Sequence, residues 1–332
     1  MQKILVIQTA FIGDVVLATG LLEKLHKQWP DASIDILVRK GNESLFTNHP
    51  FIHTVLIWDK KKSKYRHLLG LIRQIRAIKY DKVINVQRFA ATGLITAFSG
   101  AKQTIGFDKN PFSFLFTDVI RHIVSDGSHS LHEIERNHEL IRSFTDDVPG
   151  KPKLYPGSTD METVSGWKKN RYICIAPSSV WFTKQFPAIQ WADFIAALPP
   201  DLVVYLLGAP GDHLLCERIK DISGNTGVIN LAGQLNFLES AALMKDAQMN
   251  YVNDSAPMHF ASAVNAPVTA VYCSTIPAFG FGPLSDNKYI IEVEEPLSCR
   301  PCGLHGKAKC PLHHFHCASM IRTEQLLNVL PH

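Results

Sequence analysis

Short apolar runs alternate with helix-length amphipathic segments along this chain. The alternation stops at a proline- and glycine-rich stretch and then starts again. Residues 4–7 (Ile-Leu-Val-Ile) open the series with the continuous apolar run that a parallel strand buried on both faces requires. Strands are predicted over 3–8, 34–38, 54–58 and 82–86, with a shorter one near 103–106. Helices are predicted over 14–28, 42–48, 64–79 and 90–99. A further helix is predicted over 129–145, where Leu131, Ile134, His138, Ile141 and Phe144 share a stripe. Residues 146–152 and Tyr155-Pro156-Gly157 carry the punctuation of a linker. Beyond them, strands at 172–176, 203–207, 228–231, 249–252 and 267–272 alternate with helices at 188–198, 212–222, 236–246 and 257–264. Alternation on both sides of a linker implies an α/β chain of two doubly wound domains. Their expected bounds are 1–155 and 156–332, with the carboxyl ends of both sheets facing a central cleft and the C-terminal helix able to return to the first domain.

Composition narrows the function classes. Hydrophobic residues make up 46% of the chain and charged residues 19%, as in ordinary soluble proteins. No apolar stretch reaches the roughly 18–20 residues needed to span a bilayer. The N-terminus runs straight into a strand without a signal-peptide layout, so the expected location is cytoplasmic. A net charge of +4 is too mild to argue for a nucleic-acid partner. The positive charge is uneven, however. Lys60, Lys61, Lys62, Lys64, Arg66, Arg73, Arg76, Lys79 and Lys82 face Asp81 alone, with Leu68, Leu69, Leu71, Ile72, Ile75 and Ile78 interleaved at helical spacing. Such a helix either packs its apolar face on the sheet and solvates its basic face, or also rests on anionic headgroups.

The first strand leads into a short loop and then Gly13-Asp14, where the helical pattern of Val15, Val16, Leu17, Leu21, Leu22 and Leu25 begins. Ligands of open α/β sheets bind at such strand ends. The dinucleotide fingerprint Gly-x-Gly-x-x-Gly does not occur in this loop, and a carboxylate stands where a phosphate-cradling glycine would sit. Asp14 would repel a pyrophosphate but could take a proton from an alcohol; it could equally serve as a helix N-cap. The first half is therefore read as the side that receives an acceptor hydroxyl.

In the second half, Pro177-Ser178-Ser179 follows a strand and leads through Trp181 and Phe182 to Lys184-Gln185-Phe186-Pro187. Small hydroxyl residues and a lysine suit a phosphate group, and a loop that holds large aromatics is packed on something. Asn253-Asp254-Ser255-Ala256-Pro257-Met258-His259 opens a helix of small residues. Pro257 suits its first turn, and the amides around Ser255 offer an anion site. The bland alternative makes Asp254 or Ser255 a cap and His259 a structural histidine.

Gly13-Asp14, Pro177-Ser178-Ser179 through Pro187, Leu231-Ala232-Gly233, Asn253-Asp254-Ser255 with His259, and Gly282-Pro283 at a strand end together resemble glycosyltransferase family 9, the heptosyltransferases of lipopolysaccharide core assembly. The resemblance runs from residue 3 to about residue 325. One motif departs: the family commonly has Asp-Thr/Ser-Gly-x-x-His, where this chain has Ala256 for the glycine. The resemblance implies the GT-B fold and inverting transfer without a metal or other cofactor. The donor would be a nucleotide-sugar, ADP-heptose or a relative, and the acceptor a lipid-linked core oligosaccharide, with peripheral contact at the cytoplasmic face of the inner membrane. It makes Asp14 the general base and Lys184 the group that neutralises the departing diphosphate. Ser178, Ser179, Gly208, Gly233, Asp254, Ser255, Ala256 and His259 would line the nucleotide-sugar site, and Gly13, Gln87 and Arg88 the acceptor site.

Cys299, Cys302, Cys310 and Cys317, with His305, His313, His314 and His316 among them, stand apart from these motifs. They read either as a structural zinc site or as thiols packing a loop near the cleft. Two alternatives to heptosyl transfer remain: a transferase of another nucleotide-sugar, and a zinc-stabilised, non-enzymatic module that binds anionic lipid. Nucleotide-sugar epimerisation would need several carboxylates around one site, where the sequence offers chiefly Asp14.

Overall fold

The computed structural model describes residues 1–60, 64–123 and 130–331. Of the described residues, two compact units emerge: one holds 1–123 and 131–155, the other residue 130 and 156–331. The first is built on β1 (Lys3–Ile7), β2 (Ser33–Arg39), β3 (Ile52–Trp58), β4 (Lys82–Asn85), β5 (Gln103–Phe107) and β6 (Asp118–Ile120), with α1 (Ile12–Gln28), α2 (Lys64–Ile78), α3 (Ala90–Ala97) and α4 (Glu133–Glu139). Its strands are all parallel in the order β3-β2-β1-β4-β5-β6.

The second unit repeats the plan. It contains β7 (Tyr172–Ala176), β8 (Val203–Leu206), β9 (Val228–Asn230), β10 (Asn250–Asn253), β11 (Val268–Tyr272) and β12 (Lys288–Glu292). Its helices are α5 (Ser158–Ser165), α6 (Ala188–Ala196), α7 (His213–Ser223), α8 (Phe237–Lys245), α9 (Ala256–Ala263), α10 (His316–Ser319) and α11 (Thr323–Leu327). The order β12-β11-β10-β7-β8-β9 is that of the first sheet. In each, the direction of winding reverses between the first and fourth strands, β1 and β4 or β7 and β10.

Apolar burial drives both units. Ile4, Leu5, Val6 and Ile7 are fully buried, and α2 lays Leu68, Leu71 and Ile75 against a core containing Leu5, Ile7, Leu37, Leu56 and Trp58. Arg66, Arg73 and Arg76 on the same helix are exposed, so the apolar face packs on the sheet and the basic face is solvated. Lys61 and Lys62 lie outside the described residues. In the second unit, Trp191, Phe194 and Ile195 of α6 pack with Ile173, Ile175, Val204, Leu206 and Tyr251.

Several elements differ from the sequence reading. Residues 42–48 form a short 3-10 turn, Glu43–Phe46. The stripe over 129–145 yields only α4 and a 3-10 turn at Arg142–Phe144. α4 starts where His132 accepts from the Ile134 amide at 3.3 Å and Glu135 accepts from the His132 amide at 2.5 Å. α5 follows directly on the supposed linker, with Asp160 accepting from the Gly157 amide at 2.8 Å. Edge strands β6 and β12 were not anticipated. Gly282-Pro283 is not at a strand end; it lies in the loop before β12. In the C-terminal helix α11, Leu326 is in the second unit's core and its carbonyl accepts from the Tyr251 hydroxyl at 3.0 Å.

Two histidines give the first unit an acid limit. His49 lies among Phe51 and Tyr155, at centroid distances of 4.5 and 4.8 Å, and His122 lies against Phe107 at 4.8 Å. Burial, helped by neighbouring positive charge, pushes each pKa down to about 4. The unfolded chain therefore binds protons that these sites refuse, and stability is lost as pH falls from about 6.5 towards 4. We expect the thermal midpoint to fall across that window. A level midpoint would mean that these rings accept protons in the folded state.

Candidate active site

In open α/β sheets ligands gather where the winding reverses, at the carboxyl ends of the two central strands. In the first unit this place is the exit of β1 and β4. Asp14 is the third residue of α1 and partly exposed. It is not the N-cap, a position held by Phe11 without a side-chain cap bond. A carboxylate in a first helical turn is nonetheless favoured by the exposed amides and the helix dipole. Gly13 precedes it, also partly exposed.

Gln87 and Arg88 leave β4 and part company. Gln87 is buried. Its amide donates to Asn85 Oδ1 at 2.9 Å, its side chain binds that of Gln8 after β1, and its carbonyl accepts from Asn110 Nδ2 at 3.1 Å. It braces the exits of β1 and β4 instead of presenting a side chain. Arg88 is exposed.

The second unit's exit, at β7 and β10, is more densely bonded. Asn253, fully buried at the end of β10, donates from Nδ2 to Pro177 O at 2.7 Å and accepts at Oδ1 from the Phe186 amide at 2.9 Å. It thus closes the loop between Pro177 and Phe186. Gln185 Nε2 donates to Ser179 O at 2.7 Å, while Ser178 and Ser179 are partly exposed. The 3-10 turn Phe182–Lys184 aims Lys184 at Asp254, with Nζ 2.7 Å from Oδ2 and side-chain exposures of 15% and 8%. Asp254 also accepts from Thr275 Oγ1 at 2.6 Å. The next residue, Ser255, is the N-cap of α9 in extended conformation, with Pro257 in the first turn. Asp254 thus holds the lysine at the residue before the N-cap of α9 and offsets its charge, so the positive potential open to an anion here comes first from the first-turn amides of α9.

Ala256 is the first residue of α9, and His259 is buried one turn in. Gly208 and Gly233 meet after β8 and β9, the Gly233 amide donating to Gly208 O at 2.9 Å. Gly233 has φ +79°, and a Cβ there would stand 2.8 Å from Pro210 Cα. The close approach it permits is one of chain to chain.

All four cysteines of the 299–317 stretch are unpaired with one another. Burial raises the pKa of Cys302 and pushes the Cys317 thiol up to about 11. Among the described residues no three His, Cys, Asp or Glu side chains are placed to hold a metal ion. The stretch packs on the Lys184 loop: Phe315 meets Phe182 at 5.2 Å between centroids.

Two tandem doubly wound units, each with polar residues at its switch point, are the architecture of the GT-B fold. The match to known proteins is consistent with this. Residues 68–312 match the model of glycosyltransferase family 9 (heptosyltransferase). Lipopolysaccharide heptosyltransferase 3 of Escherichia coli is 27% identical over 296 residues, covering 83% of this chain and 85% of its own. Among solved structures, E. coli ADP-heptose LPS heptosyltransferase II superposes with a TM-score of 0.79 at 21% identity, covering 99% of this chain and 97% of its own. A family 9 glycosyltransferase of Veillonella parvula superposes at 0.83 and 20% identity, covering 99% and 95%. The chain belongs to glycosyltransferase family 9, and it is a glycosyltransferase. Among its described residues no helix is long and apolar enough to cross a membrane.

Proposed function

We propose that this enzyme transfers a heptose from ADP-heptose, with inversion, to a hydroxyl of a lipopolysaccharide core acceptor. The observation that supports the proposal is Lys184 held by Asp254 beside the N-terminus of α9, where the lysine and the first-turn amides could together receive a diphosphate leaving group. ADP-heptose and the core acceptor are taken from the names of the relatives above.

The acceptor hydroxyl gives its proton to Asp14 while its oxygen bonds to the anomeric carbon. The bond from that carbon to the diphosphate oxygen breaks, and the electron pair leaves with ADP. A single displacement inverts the carbon. Lys184 and the first-turn amides of α9 take up the charge that develops on the diphosphate, so the proposed chemistry draws on no metal ion. Ser178, Ser179, Ser255, Ala256 and His259 shape the donor site, with Gly208 and Gly233 beside it. Gly13 and exposed Arg88 meet the acceptor, whose phosphates and acidic sugars suit a guanidinium. A lipid-linked acceptor places the enzyme at the cytoplasmic face of the inner membrane, and the solvated basic face of α2 would meet its anionic headgroups.

Calorimetry with ADP, UDP and GDP, followed by transfer assays in excess EDTA, tests this reading. ADP is expected to bind selectively and transfer to persist in EDTA. Selectivity for another nucleotide would replace the donor, and loss of transfer in EDTA would end the metal-independent scheme.

A further inference from the structure

We infer that the cysteine-rich strap, residues 299–307, is a positioning device that fixes Lys184 and Asp254 in register for the diphosphate. This inference rests on the donor-site reading above. The strap reaches the pair by two separate arms.

The first arm starts at Arg300. Its guanidinium donates through Nε to Cys273 O at 2.7 Å and through Nη2 to Thr275 O at 2.7 Å and Tyr272 O at 3.3 Å, and it also pairs with Glu292. One side chain thus satisfies three main-chain carbonyls at the exit of β11 and a carboxylate at the end of β12. A planar fork of five N–H donors can do this; a lysine cannot. The segment so held ends in Thr275, whose hydroxyl donates to Asp254 Oδ2. Arg300 therefore sets Thr275, and Thr275 orients the carboxylate that faces Lys184.

The second arm acts on the lysine. Thr183, buried, donates its amide to Lys307 O at 3.1 Å and accepts at Oγ1 from the Lys307 amide at 2.7 Å. Ser274 ties this arm to the first. Its hydroxyl donates to Thr183 Oγ1 at 3.0 Å, its amide donates to Thr183 O at 3.2 Å, and its carbonyl accepts from the Cys302 amide at 2.9 Å. Gly306, at φ +74°, lies against the lysine stem: a Cβ there would come within 2.9 Å of Lys184 Cγ and 3.1 Å of Trp181 Cβ. A lysine has a long flexible stem, and packing the Gly306 backbone against that stem removes freedom that would otherwise be lost on binding.

The test uses ADP as the probe, with calorimetry and steady-state kinetics on the full chain. Thr275→Val removes the donor to Asp254 and is expected to weaken ADP binding about tenfold, whereas Thr275→Ser keeps the hydroxyl and should stay near wild type. Gly306→Ala crowds the lysine from the other arm and should raise the donor KM more than it changes the acceptor KM. In a Lys184→Met background both substitutions should lose their effect on ADP affinity, because the group they position is gone. If either variant fails to fold, the other carries the same comparison. If Thr275→Val and Gly306→Ala both bind ADP as wild type, or if their effects persist undiminished in Lys184→Met, the positioning role is overturned. If wild-type protein does not bind ADP at all, it is the donor-site reading that fails.

Discussion

Asp14→Asn is expected to lower kcat by about 10²- to 10⁴-fold, the usual contribution of a positioned general base, with ADP affinity unchanged. Asparagine keeps the size and the place in the first turn of α1, but it cannot take a proton at neutral pH. The residue belongs to the first unit and the proposed diphosphate site to the second, so the substitution leaves the groups that would hold ADP untouched. Rapid-quench transfer assays and ADP calorimetry on the same preparation separate the two quantities. Equal loss of transfer and of ADP binding would show that Asp14 acts through the fold or the donor, and the general-base assignment would be dropped.

Lys184→Ala should show a different pattern. Loss of a charged donor to a developing anion lowers kcat by about 10²- to 10³-fold, and ADP binding should weaken with it. Stability should also fall. Asp254 would retain Thr275 but lose the ammonium 2.7 Å away, and stripping one member from a buried pair costs about 3–5 kcal/mol, an upper bound here because Lys184 keeps some solvent contact. Thermal unfolding should therefore shift down in the variant and partly recover in Lys184→Ala with Asp254→Asn, where no uncompensated carboxylate remains. Unchanged ADP affinity in Lys184→Ala would remove the lysine from the phosphate site.

The sequence exposed the fold wherever burial was continuous. Residues 4–7, 172–176 and 267–272 read as strands because a central parallel strand is apolar on both faces. The edge strands β6 and β12 escaped for the converse reason. β12 has only Tyr289-Ile290-Ile291 between charged residues, and β6 has only three residues, so neither carries an apolar run as long as that of a central strand. α5 was hidden by Pro156-Gly157, which read as an end and proved to be a beginning. Of the candidate site, Asp14, Lys184, Asp254 and Ser255 were legible because each stands between an apolar run and a helical pattern. Their pairing was not. Lys184 meets Asp254 because β7 and β10 are neighbours, a fact of strand order that no local pattern encodes. Thr275 and Arg300 carried no signal of their own, since a side chain that serves distant carbonyls leaves no periodic trace. The bracing role of Gln87 was hidden because a polar residue at a strand end looks the same in sequence whether it braces two loops or meets a ligand.

The shared strand order also sets a timetable for making the protein. β1 is synthesised first yet lies in the middle of its sheet, between β2 and β4. One edge is covered once Ser33–Arg39 has emerged, but the other stays bare until Lys82–Asn85 leaves the ribosome, a wait of several seconds at roughly 5–20 residues per second. β7 waits in the same way for β10. During each interval an apolar strand has an unpaired edge open to chaperones or to a neighbouring nascent chain. Each interval closes with the pairing that creates the switch point, so in both units the end of vulnerability and the birth of the candidate site are one event.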